Sequence, residues 1–210
     1  MDHRITPYHH HPPEVNAIYG DNPDTASALG RALSEAADIN AWLSADARVL
    51  NRTISRTASF CTERNGHDDG SQWHQGLSFF LPNQTWLGPA GQFHAMLAKT
   101  WASGALAVTV DAKAPITASA QKDVAGGRVV IRFSNANASP VTVLLAITGF
   151  SFVQNASMTV LAGTALTQTN TPAEPNAIVP VQTSFSLTAG GGNVTLPAFS
   201  AVALELFSSV

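Results

Sequence analysis

Side chains able to hold a metal or to move protons are concentrated in two short stretches of this 210-residue chain. Asp2, His3 and His9-His10-His11 form the first, and His67-Asp68-Asp69 with His74 forms the second. Imidazole and carboxylate are good ligands, but a bound ion needs them at spacings that converge on one point, and neither stretch has a recognised metal spacing. Both read as solvated segments, and no metal or other cofactor is expected. Pro12-Pro13 biases the chain after the histidines toward extended backbone, so residues 1–24 read as a flexible N-terminal segment. Cys61 has no second thiol to pair with and reads as a small buried apolar residue. Glu35 lies within an apolar-rich helical pattern and reads as structural. The run Gly190-Gly191-Gly192 lacks the following helix that a phosphate cradle requires, so it reads as a hairpin turn before Asn193.

The elements that must position these residues fall into two units with a change of character near residue 103. Up to Ala102 the chain carries 7 basic and 10 acidic residues, whereas the remainder holds 4 and 4 and is dominated by Val, Ala, Thr, Ser and Gly. In residues 25–102, Leu29, Leu33, Ala36, Ala37, Ile39, Asn40 and Leu43 recur near a 3.6-residue period and predict a helix from Thr25 to about Leu50, capped by Asp24 or Thr25. A β-branched run follows at Val49 to Ile54, then a polar loop at Glu63 to Ser71, a strand at Leu77 to Leu81 and a second helix near Gly91 to Trp101. This order matches the last units of a (β/α) barrel. Residues 103–210 alternate as half-buried strands do, with Val129, Ile131 and Phe133 against Arg132 and Ser134, and Val141, Val143, Leu145 and Ile147 against Thr142 and Thr148. Further strands are expected at Leu106 to Val110, Met158 to Leu161, Val179 to Leu187 and Ala201 to Phe207. The fold class is therefore mixed, a remnant of a (β/α) barrel followed by an all-β sandwich.

Composition narrows the functional classes. A hydrophobic content of 45% supports a sizeable core. A net charge of -3 without a basic block lacks the footprint of a nucleic-acid partner, and no apolar run is long enough to suggest a membrane partner. Asp2, Arg4 and the histidines stand where a signal peptide would be apolar, so no export signal is expected. Five Asn-x-Ser/Thr sequons, at Asn51, Asn83, Asn137, Asn155 and Asn193, favour secretion only slightly.

Three segments together resemble one family. The run Trp73-His74-Gln75-Gly76-Leu77-Ser78-Phe79-Phe80-Leu81-Pro82-Asn83-Gln84-Thr85-Trp86, the run Asn170-Thr171-Pro172-Ala173-Glu174-Pro175-Asn176-Ala177-Ile178-Val179-Pro180, and the closing Leu196-Pro197-Ala198-Phe199-Ser200-Ala201-Val202-Ala203-Leu204-Glu205-Leu206 are similar to the C-terminal end of α-L-arabinofuranosidases of the glycoside hydrolase family 51 type. Ala32-Leu33-Ser34-Glu35-Ala36-Ala37 looks like the helix after that family's nucleophile strand. The resemblance implies a retaining hydrolase of barrel plus sandwich, acting on terminal α-L-arabinofuranosyl groups of arabinose-containing oligo- or polysaccharides. It also implies that Gln75, at the end of the last barrel strand, lines the furanose pocket, where an amide can both donate to and accept from sugar hydroxyls. Trp73 is a second substrate-binding candidate, able to stack on a sugar face, as is Trp86, although large aromatics at strand ends are usually packed.

No catalytic residue is assigned. Retaining hydrolysis needs two carboxyl groups about 5 Å apart. The family supplies its acid/base from an Asn-Glu pair, and this sequence contains no Asn-Glu; where the family has its nucleophile, the chain reads Ile18-Tyr19-Gly20. The chain is therefore expected to be inactive alone. The alternatives are a non-catalytic carbohydrate-binding module and a structural or interaction sandwich. The first is poorly served by residues 103–210, which contain no Trp or Tyr. An incomplete barrel also carries expectations of its own: self-association through open edges, a first unit less stable than the sandwich, and a sandwich that folds without it.

Overall fold

The computed structural model describes residues 28–45, 64–66, 77–111, 115–123, 125, 127–152, 155–188 and 190–209. Helix α1 spans Leu29–Ala45. Its expected ends, 25–27 and 46–50, lie outside the described residues, and so do Asp24 and Thr25. The first helical N–H groups are satisfied from a distance, Leu29 donating to the Gln168 carbonyl and Gly30 to that of Leu166, both at 2.8 Å. The predicted period is observed, for Leu29, Leu33, Ala36, Ile39 and Leu43 are all buried. Full burial of one large aliphatic side chain contributes roughly 1.5–3 kcal/mol. Four of them hold α1 by packing, where intrinsic propensity alone leaves a helix of this length marginal.

Strand β1 (Arg64–Gly66) lies inside the stretch expected to be a loop and pairs in parallel with β2 (Ser78–Leu81). Strand β3 (Gln84–Leu87), which the sequence reading had not marked, returns antiparallel to β2 around Pro82-Asn83. Helix α2 (Pro89–Lys99) begins two residues earlier than predicted because Pro89 suits a first helical turn, where its missing N–H costs nothing. At Gly91 a Cβ would stand 2.3 Å from the Leu77 carbonyl oxygen, so α2 can approach β2 this closely only through a glycine. The described residues of this region do not form a closed barrel.

The remaining strands are β4 (Gly104–Leu106), β5 (Ile116–Lys122), β6 (Arg128–Asn135), β7 (Val141–Ala146), β8 (Asn155–Ala162), β9 (Val181–Ser186), β10 (Gly191–Leu196) and β11 (Ser200–Phe207). Six of them form one sheet in the order β4-β5-β6-β11-β8-β9, and β7 pairs with β10 in a second. Two strands went unpredicted: β5 is rich in small residues, and β10 opens on glycine. The triple glycine is only in part a hairpin turn: Gly190 lies in a turn closed by an antiparallel bridge between Thr188 and Gly191, while Gly191 and Gly192 already open β10. Thr188 to Gly191 is a tight turn (Gly191 N–H to the Thr188 carbonyl, 3.0 Å), and the strands it joins, β9 and β10, belong to different sheets. Changing sheets there takes positive φ at Gly190, Gly191 and Gly192, a region that glycine reaches without steric cost.

The central strands reveal how the layers are built. In a two-layer sandwich with a solvated outer face every second residue would be exposed, yet β6 is buried at seven of its eight positions and β11 at all but its last. One face, with Val129, Ile131, Phe133, Val202, Leu204 and Leu206, packs on Val194 and Leu196 of β10. The other lies under α1. There Asn40 Nδ2 donates to Thr117 Oγ1 (3.1 Å), Ser119 Oγ to Asn40 Oδ1 (2.7 Å), Ser134 Oγ to the Leu33 carbonyl (3.0 Å) and Ser44 Oγ to the Ala118 carbonyl (2.9 Å). Leu161, Ile178 and Ala201 share one apolar cluster with both helices. The fold is thus mostly β, a sandwich with two helices sealed onto its outer face. The strands' apolar faces pack on one another as expected, and the outer face of the larger sheet is covered in addition by the helices.

Candidate functional site

Trp73 and Gln75 lie outside the described residues, as do Cys61, both histidine stretches and Ile18-Tyr19-Gly20. The description resumes at Leu77, and what fixes the chain there is visible. Phe79 and Trp86 face each other across the β2–β3 hairpin, with ring centroids 5.8 Å apart and planes 19° from parallel. Trp86 is packed, only 6% exposed, and its indole N–H donates to the Asn170 carbonyl at 3.2 Å. Asn170 in turn clamps the hairpin to the sandwich. Its amide donates to the carbonyls of Leu87 (2.8 Å) and Ile178 (2.9 Å), while its Oδ1 accepts from Ile178 N–H (2.7 Å). Gln84 adds a bond to the Pro172 carbonyl (2.9 Å). Asn170-Thr171-Pro172 is therefore a clasp, and it secures strand β3 of the hairpin to the sandwich.

The carboxylates occupy two settings. Glu35 is fully buried at the interface of the two helices, accepting from Arg31 Nε at 2.8 Å and bonded to His94 Nε2 at 3.0 Å. Both of its oxygens are engaged, which suits a cross-brace and leaves no oxygen open to a substrate. One turn on, burial first and the Glu35 charge second raise the Asp38 carboxyl above its ordinary 3.8. The stability tied to that group is fully present below 3.8 and is lost as pH rises through the folded-state value, because the folded chain holds the proton more tightly than the unfolded one.

The second setting joins α2 to the large sheet. Arg128 donates to Asp123 (3.0 Å), Glu205 (2.7 Å) and the Trp101 carbonyl (2.8 Å). Arg132 donates to Gln121 Oε1 (2.6 Å) and to the Thr100 carbonyl, with its guanidinium 5.8 Å from the centre of the Trp101 ring. Burial lowers the Arg132 guanidinium to about 10; Glu205 opposes that shift and Arg128 adds to it. These bonds fix the C-terminal end of α2. Among the described residues no group of three or more His, Cys, Asp or Glu could hold a metal, and no helix is long and apolar enough to cross a membrane.

Asn170, His94 and Arg132 were not singled out from the sequence. The signal for Asn170 was an amide just before Thr-Pro, a position that reads as a turn. The signal for Arg132 was a cation amid β-branched residues, and it was assigned only to the opposite face of its strand.

Comparison with known proteins bears on these observations. A family model described as the α-L-arabinofuranosidase C-terminal domain matches residues 76–200. Among solved structures, the arabinose-bound MgGH51 α-L-arabinofuranosidase superposes with a TM-score of 0.71 at 20% identity, covering 87% of this chain and 28% of its own. The AbfB family 51 enzyme of Bifidobacterium longum gives 0.56 at 16% identity, covering 85% and 35%, and the GH51 arabinofuranosidase of Xanthomonas axonopodis pv. citri gives 0.52 at 26%, covering 63% and 29%. The chain thus spans about 28% of the length of the first of these. No curated protein sequence matches at a significant level.

Proposed function

This chain belongs to the α-L-arabinofuranosidase C-terminal domain family, and from that membership we propose that it serves as the sandwich-bearing C-terminal portion of an enzyme that releases terminal non-reducing α-L-arabinofuranosyl residues from arabinose-containing polysaccharides. The observation that carries the reading is the family match over residues 76–200, which begins one residue after Gln75 and ends within the closing strand. In this reading residues 25–102 are the end of a (β/α) barrel, residues 103–210 are the sandwich and residues 1–24 are a flexible arm. Gln75 offers its amide to furanose hydroxyls, and Trp73 offers an apolar face. The Asn170 clasp ties the β2–β3 hairpin that follows them to the sandwich. Open barrel edges give the chain a surface for self-association.

The role is one of support and pocket-lining, without the bond-breaking step. Glycosidic cleavage with retention needs one carboxyl as acid/base and a second as nucleophile, about 5 Å apart. Glu35 is committed to Arg31 and His94, and the sequence has no Asn-Glu pair. The test is hydrolysis of an aryl α-L-arabinofuranoside by the purified 210-residue chain. The expected result is release of aglycone no faster than in buffer. Turnover that disappears in a folded Glu35→Gln variant would overturn the proposal.

A further inference from the structure

Where α1 and α2 cover the large sheet, its outer face carries buried Ser119, Gln121, Arg132 and Ser134 alongside Val130 and Ala203. The same sheet continues through β11, β8 and β9. Thr159 of β8 stands opposite Gln182 of β9 in the ladder, and Glu205 of β11 lies opposite Ser157. Together with α2 they bound an open groove of about 410 Å³, within the range of about 300–1,000 Å³ usual for small-molecule sites. One wall is a single stripe of α2, with Gln92, Ala95, Met96 and Lys99 following at helical spacing. The opposite wall is Asn176, Val179 and Pro180, on the loop that Asn170 ties down at Ile178.

The walls are held in place before anything binds. Glu205 is bonded to Arg128 at 2.7 Å, Gln182 to Ser157, and the end of α2 to Arg128 and Arg132 through the carbonyls of Trp101 and Thr100. Gln92 and Asn176 line the groove from the helix and the loop, and Met96, Val179 and Pro180 contribute apolar lining. Amides that donate and accept beside apolar side chains match a ligand that carries both hydroxyls and C–H surface. Lys99 and Glu205 line the groove with opposite charges, and Glu205 is bonded to Arg128.

We propose that this groove between α2 and strands β8, β9 and β11 is a binding site for a short neutral oligosaccharide, with Gln92 and Asn176 as its principal hydrogen-bonding residues. The choice of a pentose chain as ligand rests on the arabinofuranosidase reading; the groove chemistry itself does not. With no aromatic platform in its walls the site binds weakly, as an accessory hold on a polysaccharide whose reacting end lies elsewhere.

The test is a titration of the isotopically labelled 210-residue chain with α-1,5-linked arabinotriose, followed by amide NMR shifts, with trigalacturonate as a charged comparison. The expected result is saturable, millimolar-range shifts at Gln92, Asn176 and Gln182 side-chain amides, at least tenfold weaker binding in Gln92→Ala/Asn176→Ala, and no comparable response to trigalacturonate. Absence of shifts at these amides, unchanged affinity in a folded double variant, or tighter binding of the uronate would each overturn the assignment. The readout involves no turnover, so it is separate from the outcome of the hydrolysis test.

Discussion

Glu35→Ala is expected to lower the free energy of unfolding by about 3–5 kcal/mol, the cost typical of deleting one member of a buried charged pair. The mechanism is local. Glu35 is fully buried and bonded to Arg31, itself only 2% exposed, and to His94 on the other helix. Truncation takes away the countercharge beside Arg31 and leaves a void between the helices. Glu35→Gln keeps the shape and one acceptor oxygen, so its loss should be smaller. Denaturant titration of the two variants checks this: a shift of less than about 1 kcal/mol for Glu35→Ala would place the residue among ordinary surface positions and remove the argument that it is a brace.

Asn170→Ala should cost about 3 kcal/mol and should loosen one particular piece of the molecule. It deprives the carbonyls of Leu87 and Ile178 of their donor and the Ile178 N–H of its acceptor, and each orphaned buried group costs roughly 1–3 kcal/mol. The three bonds share one side chain, so their losses do not simply add. Trp86 reports the site directly, because its indole N–H is bonded to the Asn170 carbonyl. Its fluorescence should shift toward that of a solvated indole well before global unfolding in Asn170→Ala. If Trp86 and the sandwich lose structure in one unchanged transition, the clasp does not act locally.

The comparison of pattern with structure separates what local chemistry encodes from what only the tertiary fold decides. The period of Leu29, Leu33, Ile39 and Leu43 is enough to find α1, and alternation is enough to find β6 and β7, because a stripe or a face repeats within a few residues. Strand β5 was missed for a physical reason. Its Ala118-Ser119-Ala120 run is buried on both faces, so it shows neither alternation nor a strong apolar signal. The polar side chains at the helix-facing side carry no local mark of burial: Ser119 and Ser134 are satisfied by Asn40 and the Leu33 carbonyl of α1, 79 and 101 residues away in sequence, and Arg132 by Gln121 and the Thr100 carbonyl. The candidate site was legible only through resemblance, since Trp73 and Gln75 have no chemistry that spacing alone would single out. Conversely, Asn170 reads as a turn residue, and its side-chain bonds to Leu87, 83 residues away, and to Ile178 explain why it stands where it does.

Cooperativity between helices and sandwich is the claim on which the rest depends. Leu29, Leu33 and Ile39 of α1 share one cluster with Leu161, Ile178 and Ala201 of the sandwich, so opening either layer exposes the other. Native-state hydrogen exchange with increasing denaturant tests this most directly, comparing buried amides of α1 (Leu33, Ala36, Ile39) with those of β6 and β11 (Val130, Ile131, Ala203, Leu204). One cooperative body predicts that both sets converge on a single opening free energy, the global one. Exchange of the α1 amides through an opening several kcal/mol less costly, with β6 and β11 still protected, would instead mean that the sandwich stands alone and that residues 25–102 form a separate, weaker unit.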